Sequence, residues 1–266
     1  MADAPLQERA RVRARLALGE EYFQLDLNAA RIAACARPGQ FAMVRCGDGP
    51  TPLLRRPLSF ARIGADSVTM VVRAVGSGTR WLQVVQAGAE VDLIGPLGHG
   101  FGAPGDAAAA LLVGGGIGVP PLLAQAEALA RQGVAGPVTA CVGGRGAADV
   151  VLVEELREAG AEVYVATEDG SVGTRGLVTA PLTAALERVA GPARIYACGP
   201  EGMLAAVARL AATRDEVACE VSLEAHMCCG VGACLGCAVT TADGGHVHVC
   251  ADGPVFPAER IYGGAG

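Results

Sequence analysis

The chain has 266 residues, about twice the length of a usual domain of ~150 residues, and carries a net charge of −6 from 21 Lys+Arg against 27 Asp+Glu. That balance, with only 4% aromatic residues, argues against nucleic acid as a partner, because it offers neither a basic face nor base-stacking platforms. At 52% hydrophobic and 18% charged, the chain can bury sizeable cores and is not disordered.

The first hundred residues read as β-structure. Arg11 to Leu18 and Tyr22 to Leu27 alternate polar and apolar side chains. Strand-like pieces follow at Phe41–Cys46, Pro57–Ile63, Val68–Val75 and Val91–Ile94, and Thr79–Val85 reads as a short helix. Turn signals separate them, among them Pro38-Gly39, Gly47-Asp48-Gly49-Pro50 and Gly64-Ala65-Asp66. Short strands at this spacing predict a small antiparallel barrel. Near Ala103-Pro104-Gly105 the pattern changes to alternating strands and helices. The strands are Ala110–Val113, Val138–Val142, Glu162–Thr167, Arg194–Ala197 and Val217–Val221. The helices are Pro120–Gln132, Val150–Ala159, Thr179–Ala190 and Pro200–Ala212. This predicts a doubly wound parallel sheet. The uncharged run Ala107–Ala124 is long enough for a membrane span. Gly114-Gly115-Gly116, Gly118 and Pro120-Pro121 would break such a helix, so it reads as strand, turn and helix. The last fifty residues are rich in Cys and Gly and too few to fold on a core alone, so they need a staple.

Ten cysteines are present. The start, Met1 to Arg13, lacks the apolar run of a signal peptide, and a secreted disulfide scaffold would be shorter. A reducing, cytoplasmic setting is the expectation. Cys229, Cys234, Cys237 and Cys250 follow the spacing C-x₄-C-x₂-C with a later fourth cysteine, the plant-type [2Fe–2S] spacing. Gly230, Gly232 and Gly236 let the backbone pass close to an inorganic core. A structural zinc site is the alternative, although zinc favours paired C-x₂-C knuckles and one such pair is present. Cys228 adjoins the first ligand at a gap of the wrong length. His226, His246 and His248 lie near, but four suitably spaced cysteines leave no need for them.

Other stretches place backbone where phosphate could sit. Leu111 to Pro121 runs from strand through a glycine turn into a proline-started helix, yet Pro121 stands where the third glycine of G-x-G-x-x-G would fall. Tyr196 to Met203 and Thr167-Glu168-Asp169-Gly170-Ser171 also end strands, where open α/β sheets bind ligands. Arg145 follows the second strand of this half and could receive a 2′-phosphate. In the barrel half, Arg55-Arg56-Pro57-Leu58-Ser59 and Gly76-Ser77-Gly78-Thr79 could hold a phosphate, or could be a solvated charge pair beside a turn. No Ser-His-Asp set, Cys-His set or paired carboxylates are evident.

Together these residues resemble the ferredoxin reductase superfamily. The resemblance implies an antiparallel flavin-binding β-barrel domain over 1–103, a doubly wound α/β NAD-binding domain over 104–215 and a small [2Fe–2S] cysteine-rich domain over 216–266. The family's R-P-x-S falls on Arg56, Pro57, Leu58 and Ser59. Arg56 would meet the FAD pyrophosphate and Ser59 the isoalloxazine edge. The next flavin strand would be Val71, Val72 and Arg73, and the phosphate turn Gly78 and Thr79. The nucleotide loops G-x-G-x-x-P and C-G-P-x-x-M match Gly116, Gly118 and Pro121, and Cys198, Gly199, Pro200 and Met203. The run Cys229 to Cys237 with Asp252-Gly253-Pro254-Val255-Phe256 is similar to the electron-transfer subunits of NAD-linked dihydroorotate dehydrogenases. That likeness implies FAD, a [2Fe–2S] cluster and NAD as cofactors, and an FMN-containing catalytic partner in a heterotetramer of two copies of each. No catalytic acid, base or nucleophile is expected. The alternatives are an NAD(P)H-oxidising subunit of a sulfur-reducing or transhydrogenase complex, and a zinc-stapled binding protein without enzymatic activity.

Overall fold

The computed structural model describes residues 5–264 apart from 48, 50, 51, 134 and 135. Asp48 and Pro50 of the expected turn, and Met1 to Ala4, lie outside the described residues. The alternating segments form β1 (Leu6–Ala17), β2 (Tyr22–Asn28), β3 (Phe41–Val44), β4 (Arg56–Ser59), β5 (Arg62–Ile63), β6 (Ser67–Arg73) and β7 (Glu90–Leu97), with helices α1 (Ala30–Cys35) and α2 (Ser77–Gln83) between them. They make one antiparallel sheet in the order β4-β3-β7-β1-β2-β6-β5. Its two end strands adjoin in sequence across Phe60 and Ala61, so the sheet curls on itself. Pro57 sits on end strand β4, where a missing N–H costs least. The expected single strand Pro57–Ile63 is thus two, split at a fully buried Phe60. Helix α1 is too short to show a period in sequence. It buries Ile32 and Ala33 and is anchored where Glu8 accepts the Ile32 N–H at 2.9 Å.

The second half holds β8 (Ala109–Gly115), α3 (Pro120–Gln132), β9 (Val138–Gly144), α4 (Val153–Glu158), β10 (Glu162–Thr167), β11 (Thr174–Arg175), α5 (Thr179–Arg188), β12 (Ala193–Cys198), α6 (Glu201–Ala211) and β13 (Val217–Ser222). Its sheet runs β11-β10-β9-β8-β12-β13-β16, where β16 is Val255–Pro257. All pairs are parallel except β13 with β16. Every residue of β8 is buried, as a central parallel strand requires. That burial accounts for the uncharged run, and no helix among the described residues is long and apolar enough to cross a membrane. The strand order reverses beside β8, which puts a ligand crevice at the carboxyl ends of β8 and β12.

The parallel sheet runs past residue 215. Strand β13 continues it, and β16 closes its edge with Val221 opposite Phe256. Between them lie a cysteine loop, the hairpin β14 (Ala238–Thr240) and β15 (His246–His248), and, after β16, helix α7 (Ala258–Tyr262). The C-terminal segment therefore shares a core with the rest. Val247, Val249 and Phe256 pack in one buried cluster with Phe41 and Met43 of the barrel half and Leu111 and Ile195 of the sheet. The connection between halves is tied down as well. Phe101 meets Tyr196 edge-on at 5.4 Å, and Gly102 donates its N–H to Glu220 and accepts the Tyr196 hydroxyl.

Candidate functional site

Adjacent arginines start β4, and they have different partners. Arg55 pairs with Asp92 at 3.0 Å and donates to the Asp92 carbonyl at 2.9 Å, with both side chains about four-fifths covered. Arg56 donates to the carbonyls of Leu54 and Arg55, and among the described residues no carboxylate pairs with it. A Cβ on Gly78 would stand 3.1 Å from Arg56 Nε, so the first turn of α2 packs against this guanidinium. Thr79 Oγ1 accepts the N–H groups of Val75 and Gly76 and closes that turn.

Beside this strand lies a cleft of about 210 Å³. Pro57, Leu58, Ser59 and Val71 form its barrel wall, Ile117, Pro120 and Cys198 the wall from the parallel half, and Ala225 and Met227 a third wall from the segment leading to the cysteines. The strand period of two divides the expected flavin strand. Val71 faces the cleft, Val72 packs in the barrel core with Phe23 and Leu25, and Arg73 opens on a second, larger cavity.

That cavity, of about 660 Å³, spans the carboxyl ends of β8, β9, β10 and β12. Gly116, Pro200 and Met203 line it, whereas Gly118, Pro121 and Gly199 line neither cavity. Gly118 permits a close approach of loops, since a Cβ there would collide with the Cys198 carbonyl oxygen. Gly116 adopts φ of +53°, a left-handed turn suited to glycine. The Cys198 thiol is fully buried, and burial pushes it up to about 12, so it stays protonated and is no nucleophile.

Three residues that sequence reasoning did not single out belong here. Ile117 and Glu224 line both cavities and join them. Surrounding protein pushes the Glu224 carboxyl upward, although the residue remains accessible through the open cavities. Glu168 lines the far end of the larger cavity, past β10. Its signal was an acid directly after a strand, in a loop noted only for its position. Arg145, the candidate phosphate receiver, is paired with Asp149 at 3.2 Å.

The cysteine loop follows β13. Hairpin β14–β15 brings its flanks together, so that Cys237 and Cys250 lie 3.2 Å apart at sulfur, both buried. Cys229 and Cys234 form a second, more exposed pair, with the Cys234 N–H donated to Cys229 Sγ. Three more amides point at sulfur: Val231 to Cys229, Gly232 to Cys250 and Cys250 to Cys237. Gly230, Gly232 and Leu235 turn the loop with φ of +75°, +76° and +58°. Burial works against ionisation of Cys229, but donation by the Val231, Cys234 and Ala233 amides and the Cys234 thiol outweighs it and brings the thiol down to about 6. The sulfurs fall into two pairs, Cys229 with Cys234 and Cys237 with Cys250, and four thiolates are the donor set of a binuclear iron–sulfur core. Amide–sulfur hydrogen bonds are a lever on the potential of such a core, and the donor set fits it. Cys228 is exposed and makes none of these bonds. The His248 backbone N–H is donated to Asp252 at 2.7 Å, and its ring Nδ1 stands 3.6 Å from the same carboxylate oxygen.

Curled barrel, parallel sheet with a cavity at its carboxyl edge and thiol-lined loop define an oxidoreductase of the ferredoxin reductase type. Residues 112–209 match an oxidoreductase NAD-binding domain. Residues 224–262, which hold all four cysteines, match the iron–sulfur cluster binding domain of dihydroorotate dehydrogenase B, so zinc is set aside. Among solved structures, one described as that of the NADH-dependent reduced ferredoxin-NADP oxidoreductase superposes with a TM-score of 0.82 at 29% identity, over 95% of this chain and 89% of that one. The ferredoxin reductase in carbazole 1,9a-dioxygenase gives 0.70 at 27% identity, over 82% of this chain and 70% of that one. Full-length relatives narrow the class. The electron transfer subunit of dihydroorotate dehydrogenase B (NAD(+)) from Geobacillus kaustophilus is 41% identical over 96% of this chain and 98% of its own length. That from Bacillus velezensis is 38% identical over 92% and 94%. The chain belongs to the family of dihydroorotate dehydrogenase B (NAD(+)) electron transfer subunits.

Proposed function

We propose that this chain carries electrons between a dihydroorotate-oxidising, FMN-containing catalytic partner and NAD⁺, by way of a [2Fe–2S] cluster and FAD. One observation carries the reading. The larger cavity and the cleft share Ile117 and Glu224, and the cleft's third wall, Ala225 and Met227, leads within two residues to Cys229. Nicotinamide exchanges a hydride, an iron–sulfur cluster exchanges single electrons, and flavin can do both. The adjoining of cavity, cleft and cysteine loop supports that order.

The cofactors are FAD, a [2Fe–2S] cluster and NAD. Arg56, with Gly78 and Thr79 packed beside it, would hold FAD phosphate. Pro57, Leu58, Ser59 and Val71 would face the flavin ring, and Val72 and Arg73 complete that strand. Gly116, Pro200 and Met203 would contact the nucleotide. Gly118, Pro121, Cys198 and Gly199 hold those loops in place. Cys229, Cys234, Cys237 and Cys250 would ligate the cluster. The apolar cleft walls keep water from the ring, and the protonated Cys198 adds no charge beside it. Cys234, Val231 and Leu235 are exposed, and this face of the cysteine loop would meet the partner. A cytoplasmic heterotetramer of two copies of each subunit completes the proposal.

The test is reconstitution with the dihydroorotate-oxidising subunit. Dihydroorotate should drive NADH formation, and Cys234→Ser should abolish it while FAD stays bound. NADH formation undiminished in the Ser variant would remove the cluster from the path.

A further inference from the structure

Asp149 sits where the barrel half meets the parallel half, at the lip of the larger cavity. Its two carboxylate oxygens serve different halves of the molecule. Oδ1 accepts the Tyr22 hydroxyl at 3.3 Å and faces Arg73 at 3.6 Å, both from the barrel. Oδ2 accepts the backbone N–H of Arg145 at 3.3 Å and its Nε at 3.2 Å, past the end of β9. The Asp149 side chain is only 13% exposed, against 72% for Arg145. Arg73 is further fixed by Glu21 at 2.8 Å and lies over the Tyr22 ring. Arg73, Arg145 and Asp149 all line the cavity. The Tyr22 hydroxyl stands close to the cavity-lining Gly116, 3.7 Å from where a Cβ there would lie.

Long arginine side chains lose rotamer freedom when a ligand fixes them. A carboxylate that already holds two of them removes that cost before the ligand arrives. We propose that Asp149 is a positioning residue for the pyridine nucleotide, setting Arg73 and Arg145, one from each half, as fixed cations facing the dinucleotide phosphates. The proposal rests on the reading that this cavity takes NAD(H). It makes each oxygen matter separately, since an amide could satisfy one arginine but would turn N–H groups towards the other.

The sign of the effect decides the test. A carboxylate acting by charge alone repels an anionic dinucleotide, so its loss should tighten binding. A positioning carboxylate should weaken binding when lost. The measurement is rapid mixing of the FAD- and cluster-loaded chain with NADH, which separates nucleotide Kd from the limiting rate of flavin bleaching. Asp149→Asn should raise the Kd for NADH about tenfold and change the limiting rate less than twofold, with unaltered FAD and iron content. Tyr22→Phe keeps the ring and removes one hydrogen bond to Oδ1, and should raise the Kd two- to threefold. Tighter or unchanged NADH binding by Asp149→Asn, with the wild type saturating normally, overturns the proposal. If the Asn variant loses FAD or iron, an unchanged Kd in Tyr22→Phe overturns it. A wild type whose bleaching never saturates with NADH, and is not competed by ADP-ribose, overturns the cavity reading and this proposal with it.

Discussion

Arg55 and Arg56 are neighbours in sequence with opposite occupations, and the difference is measurable. Burial pushes the Asp92 carboxyl upward, but hydrogen bonds from Arg55 and Gln7 and the charges of Arg55 and Arg45 outweigh it and hold it below its usual range. A depressed folded value stabilises fully above the unfolded value of about 4 and fades as pH falls through the folded one. Arg55→Ala should therefore cost about 2 kcal/mol near neutrality, and the loss should shrink as the pH is lowered past that range. Denaturant titration at several pH values reads this, and a loss that stays constant at low pH would contradict it. Arg56→Ala should leave apoprotein stability within about 0.5 kcal/mol and lower FAD content, with iron unchanged. Unchanged flavin stoichiometry would remove Arg56 from the flavin site. Sequence alone could not separate the two arginines, because the distinction lies in Asp92, far along the chain on β7.

At the scale of elements, the turn from β8 into α3 is a packing device before it is a binding loop. Gly118 passes against the Cys198 carbonyl, so the ends of β8 and β12 approach as two bare backbones. Gly118→Ala should push them apart, cost about 1–3 kcal/mol by overpacking, and weaken NADH binding as the cavity edge shifts. Thermal melts and NADH titration of the variant check both, and an unshifted melt would mean the loops have slack. The strands and helices around this turn were legible because each carries its period: Tyr22 to Leu27 alternates, and the stripe Met203, Leu204, Val207, Leu210, Ala211 repeats at the helical spacing. What escaped was short or non-local. Helix α1 spans six residues. The split between β4 and β5 depends on where Phe60 plugs the barrel. Strand β16 depends on pairing with β13 across a loop of more than thirty residues.

For the whole molecule, the site is where three segments meet. The cysteine spacing and the C-G-P and R-P-x-S motifs could be read in the sequence because each is local. The shared wall of Ile117 and Glu224 could not, because it exists only once barrel, sheet and cysteine segment are packed on common cores. The segments are fixed to one another by that packing, by the Arg62–Glu127 pair at 3.1 Å across the seam and by the tied connection at Phe101 and Gly102. Electron transfer between fixed cofactors needs such a frame. The most direct test is the visible spectrum of the anaerobically purified chain before and after NADH is added. Flavin bands with a broad cluster absorption, both bleached by NADH, are the predicted result. A chain that shows flavin and cluster bands yet is unmoved by NADH, or one that neither FAD nor iron restores to colour, would contradict the account.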